Sequence, residues 1–173
     1  GTITETGGNV AHLTPGDPVF GFASGSLATL ARSPAGLLAP KPKALSWEAA
    51  CTLPIVWTTT HVALRGAMVR VGQRLLVHAG AGGVGLVALG YACWLGVQTC
   101  ATAGQPAKHE AVMKMGSRAS SSRNIAAFTL GLVRCLQAIA LHATLNSLSA
   151  DFIAVSAAAH GEGSHMEEIG KRA

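Results

Sequence analysis

Arg74-Leu75-Leu76-Val77-His78-Ala79-Gly80-Ala81-Gly82-Gly83-Val84-Gly85 is the stretch that decides the fold. Leu75 to Ala79 reads as a short apolar strand, Gly80 to Gly85 as a turn, and Leu86 to Leu95 as an apolar helix. Within the turn, Gly80-x-Gly82-x-x-Gly85 fits the GxGxxG pattern of dinucleotide sites. The first glycine allows a tight turn and the second lets backbone approach a pyrophosphate. The third lets the helix pack closely on the strand, so that the helix N-terminus faces the phosphate charge. An ordinary glycine-rich strand-to-helix turn is the competing explanation. The strand before the motif and the helix after it favour the dinucleotide.

The next strand, Val97 to Ala103, bears on which dinucleotide. A site for NAD carries an acid at the end of this strand, about 20 residues past the turn, to bond the ribose 2′-hydroxyl. Here the chain reads Ala101-Thr102-Ala103-Gly104-Gln105-Pro106-Ala107-Lys108, with no carboxylate to repel a 2′-phosphate. Lys108 stands where it could attract one, although a solvated lysine on the following helix explains it equally. The missing acid is the stronger half of the argument for NADPH.

Outward from this core, strands and helices alternate. Helices are expected over Pro106–Met115, Ile125–Leu141 and Asp151–Ala159, and strands over Ala143–Leu145 and His165–Ile169. Ser120 to Arg123 reads as a loop. Such alternation implies an α/β domain, a Rossmann-type parallel sheet with helices on both faces. Toward the N-terminus, Gly1–Val10 reads as a Thr-rich strand and Val19–Phe22 as another, with Leu37–Lys43 an extended link. Ser46 is a candidate N-cap for a helix beginning at Trp47. Pro54 is expected to interrupt it, with a second helix from Ile55 to Arg65.

Composition narrows the function classes. The 173 residues are 49% hydrophobic and 12% charged, enough to bury a core. The net charge of +5 is scattered and aromatic residues make up only 5%, so no nucleic-acid surface is expected. Cys51, Cys93, Cys100 and Cys135 lack CxxC or Cys/His spacing, so reduced, buried thiols are expected and no metal. The uncharged run from Val84 to Ala107 has the length of a membrane span, but its glycines suit a buried helix feeding a buried strand better. His61 and His78 read as structural, Tyr91 and Trp94 as core. No GxSxG elbow surrounds Ser147, so hydrolysis is unsupported.

Further strings tie the chain to a family. They are Gly16-Asp17-x-Val19-Phe20-Gly21, Ala49-Ala50-Cys51-Thr52-Leu53-Pro54, Ala101-Thr102-Ala103-Gly104, Ser121-Ser122-Arg123, Leu145-Asn146-Ser147-Leu148-Ser149 and Glu168-Ile169-Gly170-Lys171-Arg172. With Val69–Gly85 they resemble, almost end to end, the enoyl reductase domains of polyketide synthases and animal fatty acid synthase. These belong to the zinc-independent medium-chain dehydrogenase/reductase superfamily. The resemblance implies part of a GroES-like, substrate-side β domain over residues 1–46 and an NADP-binding Rossmann domain over 47–173. It also implies family segments before Gly1 and after Ala173, among them a carboxylate partner for the catalytic lysine.

The implied activity is NADPH-dependent reduction of an enoyl thioester carried on acyl carrier protein, in a cytoplasmic synthase beside neighbouring domains. By the same match Gly80, Gly82, Gly83 and Gly85 line the pyrophosphate, Lys108 faces the 2′-phosphate, and Val84 and Gly104 are further cofactor-binding positions. Asn146 and Ser147 end a strand on the nicotinamide side, and Lys171 is the proton donor or enolate stabiliser. Val62 stands where the family often has Tyr or Val, and Tyr at that position is associated with one face of α-protonation. Gly161-Glu162-Gly163-Ser164-His165 and His142-Ala143-Thr144 depart from the family pattern. A stand-alone quinone or enone oxidoreductase, and a degenerate fragment that binds NADPH or a partner without turnover, are the alternatives. The 173 residues alone are expected to reduce enoyl thioesters weakly or not at all.

Overall fold

A computed structural model describes residues 1–121, 124–148 and 151–170, and for Ser120 and Ser121 the backbone alone. The chain divides into two compact units, Gly1–Val56 and Trp57–Ala173.

In the first unit, β1 (Val19–Gly21) pairs antiparallel with β2 (Leu38–Pro40), Phe20 opposite Ala39. Isolated bridges Thr2–Pro18 and Ser24–Arg32 extend this arrangement, which resembles part of a GroES-like domain. The expected strand over Gly1–Val10 reduces to the Thr2 bridge, because only Ile3 and Val10 in it are even half-buried. The link after Leu37 is instead a paired strand. Gly21 shows why the approach is so close: at φ +152, a Cβ there would stand 2.0 Å from the Leu37 carbonyl oxygen.

Ser46 caps α1 (Trp47–Gly66) as expected, its Oγ accepting from the Ala49 N–H at 3.1 Å. Pro54 does not divide this helix, which runs unbroken through it. Proline removes one helical hydrogen bond and crowds the preceding turn. Here the later turns bury Ala63 and Leu64, and the Thr60 hydroxyl bonds the Val84 carbonyl at 3.4 Å. Tertiary packing therefore outweighs the local break.

The second unit is a five-stranded, wholly parallel sheet ordered β5-β4-β3-β6-β7. Its strands are β3 (Arg74–Val77), β4 (Gln98–Ala103), β5 (Arg118–Ser121), β6 (Leu141–Asn146) and β7 (His160–Glu168). Between them come α2 (Gly83–Trp94), α3 (Pro106–Lys114), α4 (Ile125–Leu136) and α5 (Asp151–Ala158). Both sheet faces are covered. Leu75 and Val77 join a cluster with Ala88, Leu89, Ala101 and Leu145, whereas Leu76 joins Cys100, Phe128 and Leu132. That two-residue alternation is the strand period acting on two cores at once. The Rossmann-type sheet expected from the glycine turn is present.

Several boundaries differ from expectation. The loop over Ser120–Arg123 is strand as far as Ser121, in register with Thr102 and Ala103; Ser122 and Arg123 lie outside the described residues. Helix α4 ends at Leu136 rather than Leu141, because Gln137 and Ala138 both adopt left-handed backbone, φ 49 and 65. Leu141 then starts β6. The run from Val84 to Ala107 resolves into helix, turn, strand and the start of another helix, and among the described residues no helix is long and apolar enough to cross a membrane. Of the four thiols only Cys100 and Cys135 are buried; Cys51 and Cys93 are exposed. Trp94, expected in the core, is 76% exposed and stacks on Tyr91.

Candidate functional site

Because all five strands run parallel, their carboxyl ends lie along one edge of the sheet. The order places β3 between β4 and β6, the switch point where ligands of open α/β sheets bind. At that edge lie the Gly80–Gly85 turn after β3, Gly104 after β4, and Asn146-Ser147 at the end of β6.

The turn is built tightly and held by β4. Ala79 sits in left-handed backbone at φ 50, and its carbonyl accepts from the Gly82 N–H at 2.8 Å. The Gly80 N–H donates to the Thr102 carbonyl at 2.8 Å, and the Ala79 N–H to the Thr102 hydroxyl at 3.0 Å. A Cβ on Gly80 would stand 2.7 Å from the Ala101 Cβ; on Gly85 it would stand 2.6 Å from both the Ala79 oxygen and the Gly80 Cα. Glycine at 80 and 85 is therefore demanded by the fold. Gly82 is different: exposed at the N-cap of α2 with φ −84, its Cβ would meet only the Ala79 oxygen at 3.2 Å.

No side chain caps α2, so its first N–H groups keep their donor capacity at an exposed, positively polarised helix end. Gly82 and Gly83 are both exposed there, and Val84 is half-buried. This backbone suits a pyrophosphate. Past β4, Gln105 is the N-cap of α3, Pro106 opens the helix, and exposed Lys108 stands in its first turn, which contains no acid. A cation at that end is unfavourable for the helix itself and leaves a site suited to an anion. His109 Nε2 contacts the Ala103 carbonyl at 2.7 Å, fixing the strand-to-helix corner.

Asn146 is fully buried, and its side chain is committed internally. Nδ2 donates to Glu168 Oε2 at 2.5 Å and to the Leu148 carbonyl at 2.8 Å, while Oδ1 accepts from the Leu148 N–H at 3.2 Å. Ser147 Oγ donates to the His78 carbonyl at 3.3 Å, joining the ends of β6 and β3. Glu168 Oε1 accepts from the Gly170 N–H at 2.7 Å, which shapes the exit of β7. Val62 lies on α1, 63% exposed, beside buried Ala63 and Leu64. Lys171 lies outside the described residues.

Sequence reading missed Thr102 and the part His78 plays beside it. His78 is buried, with Nδ1 3.2 Å from Thr102 Oγ1 and Nε2 2.9 Å from Ser156 Oγ. Burial depresses its pKa to about 4, against a smaller upward pull from the Glu168 charge, so it is neutral near pH 7. Two polar residues facing apolar cores from neighbouring strand ends were the available signal.

Comparison with known proteins agrees with this architecture. No protein-family model matches the chain. It is 35% identical over 175 aligned residues to the pikromycin polyketide synthase component PikAII of Streptomyces venezuelae, covering 99% of this chain and 5% of that protein. Among solved structures, the CurK enoyl reductase superposes with a TM-score of 0.91 at 31% identity, over 99% of this chain and 52% of that one. A mycobacterial protein solved in complex with NADPH superposes with a TM-score of 0.87 at 26% identity, over 98% of this chain and 54% of that one. The chain thus spans about half the length of these solved relatives. With the glycine turn, the parallel sheet and the synthase strings in the same order, this chain belongs with the enoyl-reductase-like domains of polyketide synthases, in the zinc-independent medium-chain dehydrogenase/reductase superfamily.

Proposed function

We propose that this chain is the cofactor-holding part of an NADPH-dependent enoyl reductase, acting on the α,β double bond of an enoyl thioester carried on acyl carrier protein within a polyketide synthase. The observation that carries the reading is the Gly80–Gly85 turn, closed onto Thr102 and opening an uncapped helix, beside a strand end free of acids. In this reading the backbone of Gly80, Gly82, Gly83, Val84 and Gly85 holds the pyrophosphate. Gly104 leaves room beside it, and Lys108 binds the 2′-phosphate.

Asn146 and Ser147 shape the strand end toward the nicotinamide, and Val62 sets part of the substrate side. NADPH, when bound, supplies the hydride for the β-carbon of the enoyl group. Lys171 holds the proton for the α-carbon or steadies the enolate charge. Glu168 bonds both the Gly170 N–H and the Asn146 amide, which ties the exit of β7 to the end of β6.

The test is NADPH consumption with a crotonyl thioester by the chain joined to its family flanking segments, measured beside the same assay with a quinone. Thioester-dependent consumption supports the proposal. Consumption with quinone alone would reassign the chain to free-substrate quinone reduction, and NADPH binding without either would make it a non-catalytic binding module.

A further inference from the structure

Cys100 and Cys135 lie far apart in sequence but share one buried cluster with Leu76, Phe128 and Leu132. Cys100 is on β4, and Cys135 is in the last turn of α4, which covers that face of the sheet. Arg118 ties the two together. It stands opposite Cys100 in the β4–β5 register, and its Nη1 donates to the Cys135 carbonyl at 3.0 Å and the Arg134 carbonyl at 3.4 Å. Arg74 adds a second guanidinium at the same helix end, bonding the carbonyls of Leu136 and Ile139. The two thiols thus share one buried face of the sheet between these cations.

We propose that Cys100 and Cys135 form an oxidisable dithiol that closes as an intramolecular disulfide on reaction with hydrogen peroxide. The pairing splits the roles. The neighbouring Cys100 thiol lowers the Cys135 thiol, against the desolvation that opposes it, with the Arg118 charge assisting. The Cys135 neighbour, together with burial, pushes the Cys100 thiol upward, so it remains the proton-bearing partner.

The Cys135 thiolate is thus the nucleophile. Its sulfur attacks one peroxide oxygen, the O–O bond breaks, and the hydroxide released takes up a proton to leave as water. Cys135 becomes a sulfenic acid. The Cys100 sulfur then attacks the Cys135 sulfur, the S–S bond forms and the S–O bond breaks. Hydroxide leaves with the Cys100 proton as a second water. The two thiols are oxidised by two electrons and the peroxide is reduced to two waters. This chemistry is independent of whether the chain reduces enoyl thioesters.

The experiment uses the full chain with the exposed thiols removed, Cys51→Ser and Cys93→Ser. After hydrogen peroxide treatment, the remaining free thiols are alkylated and the intact mass is measured. The expected product is a monomer lighter by two hydrogens, with no alkylation. A peptide map should join the Cys100 and Cys135 segments, and dithiothreitol should restore both thiols. The oxidation rate should rise as pH passes through about 7. In the further variant Cys100→Ser, Cys135 should gain oxygen instead of forming a bridge. Two alkylatable thiols after peroxide treatment, separate oxidation of each, or a disulfide only between chains would overturn the proposal. If Cys100→Ser does not fold, the cross-link and mass of the parent variant still decide it.

Discussion

Gly82 and Gly85 belong to one motif, yet the structure gives them different duties, and alanine at each should fail differently. At 85 the new methyl carbon would stand 2.6 Å from the Ala79 oxygen and the Gly80 Cα, and 2.7 Å from the Gly80 carbonyl carbon. All three are backbone atoms, so relief requires the turn or the start of α2 to shift. Overpacking of this kind costs about 1–3 kcal/mol, and backbone contacts place Gly85→Ala at the upper end. At 82 the nearest atom is the Ala79 oxygen at 3.2 Å, and φ −84 suits any residue. Gly82→Ala, a poorer N-cap with one tight contact, should therefore cost only about 1 kcal/mol. Its methyl would instead occupy the exposed helix end where the pyrophosphate approaches, weakening NADPH about tenfold, or 1.4 kcal/mol. Urea unfolding followed by circular dichroism gives the stabilities, and NADPH fluorescence titration gives the affinities. The reasoning fails if Gly85→Ala unfolds at the parental urea concentration, or if Gly82→Ala binds NADPH as tightly as the parent.

Three other expectations can be checked. Lys108→Ala should erase most of the preference for NADPH over NADH, a charge-assisted contact worth about 1.5–3 kcal/mol; calorimetry showing equal affinities in the parent would refute the assignment. Because the His78 pKa is depressed from 6.5 to about 4 in the folded state, the unfolded chain binds the extra proton first on acidification. The stability contribution is therefore intact above 6.5 and is lost as pH falls toward 4, by about 3 kcal/mol in all. Urea midpoints that stay flat over that interval, or that fall equally in His78→Gln, would contradict it. With Val62 in place of a tyrosine, no hydroxyl is available there as a proton donor. Chiral analysis of the product that an intact version of the domain makes from an α-methyl enoyl thioester should show the Tyr-independent configuration, and the Tyr-type configuration would refute the role given to Val62.

What was legible in the sequence followed from buried periodicity and from the turn. Leu75-Leu76-Val77 announced β3 because both sheet faces need apolar cover, and the Gly80–Gly85 spacing announced the crossover to α2. Helix α2 nevertheless starts at Gly83, three residues earlier than propensity suggests. Gly85 belongs in it because close helix–strand packing excludes a side chain, which propensity cannot register. Strand β5, Arg-Ala-Ser-Ser, was illegible because it is a short polar edge whose extended form comes from pairing with Cys100–Ala103. The start of β7 was hidden likewise. His160-Gly161-Glu162-Gly163 carries no apolar run, and its anchors are the Leu141 pairing and a 2.7 Å contact from His160 Nε2 to Thr144 Oγ1.

The support of the glycine turn was hidden for a further reason: it is a chain of hydrogen bonds whose direction depends on every member. Ser156 Oγ donates to the Phe152 carbonyl at 2.6 Å, so toward His78 Nε2 it must accept. His78, neutral, therefore carries its proton on Nε2 and presents Nδ1 as an acceptor. The Thr102 hydroxyl fills that acceptor, which leaves its oxygen lone pairs to receive the Ala79 N–H at the entrance of the turn. One donor sequence thus runs from the turn through β4 to His78, and from His78 on into α5. Protonating His78 would place a hydrogen on Nδ1, reverse the Thr102 hydroxyl and require that one oxygen to accept from both Nδ1 and the Ala79 N–H. That hydroxyl holds the Ala79 N–H, while the Thr102 and Ala79 carbonyls hold the Gly80 and Gly82 N–H groups. The same burial that depresses the histidine pKa therefore keeps that hydroxyl turned toward His78 at the entrance of the proposed cofactor turn.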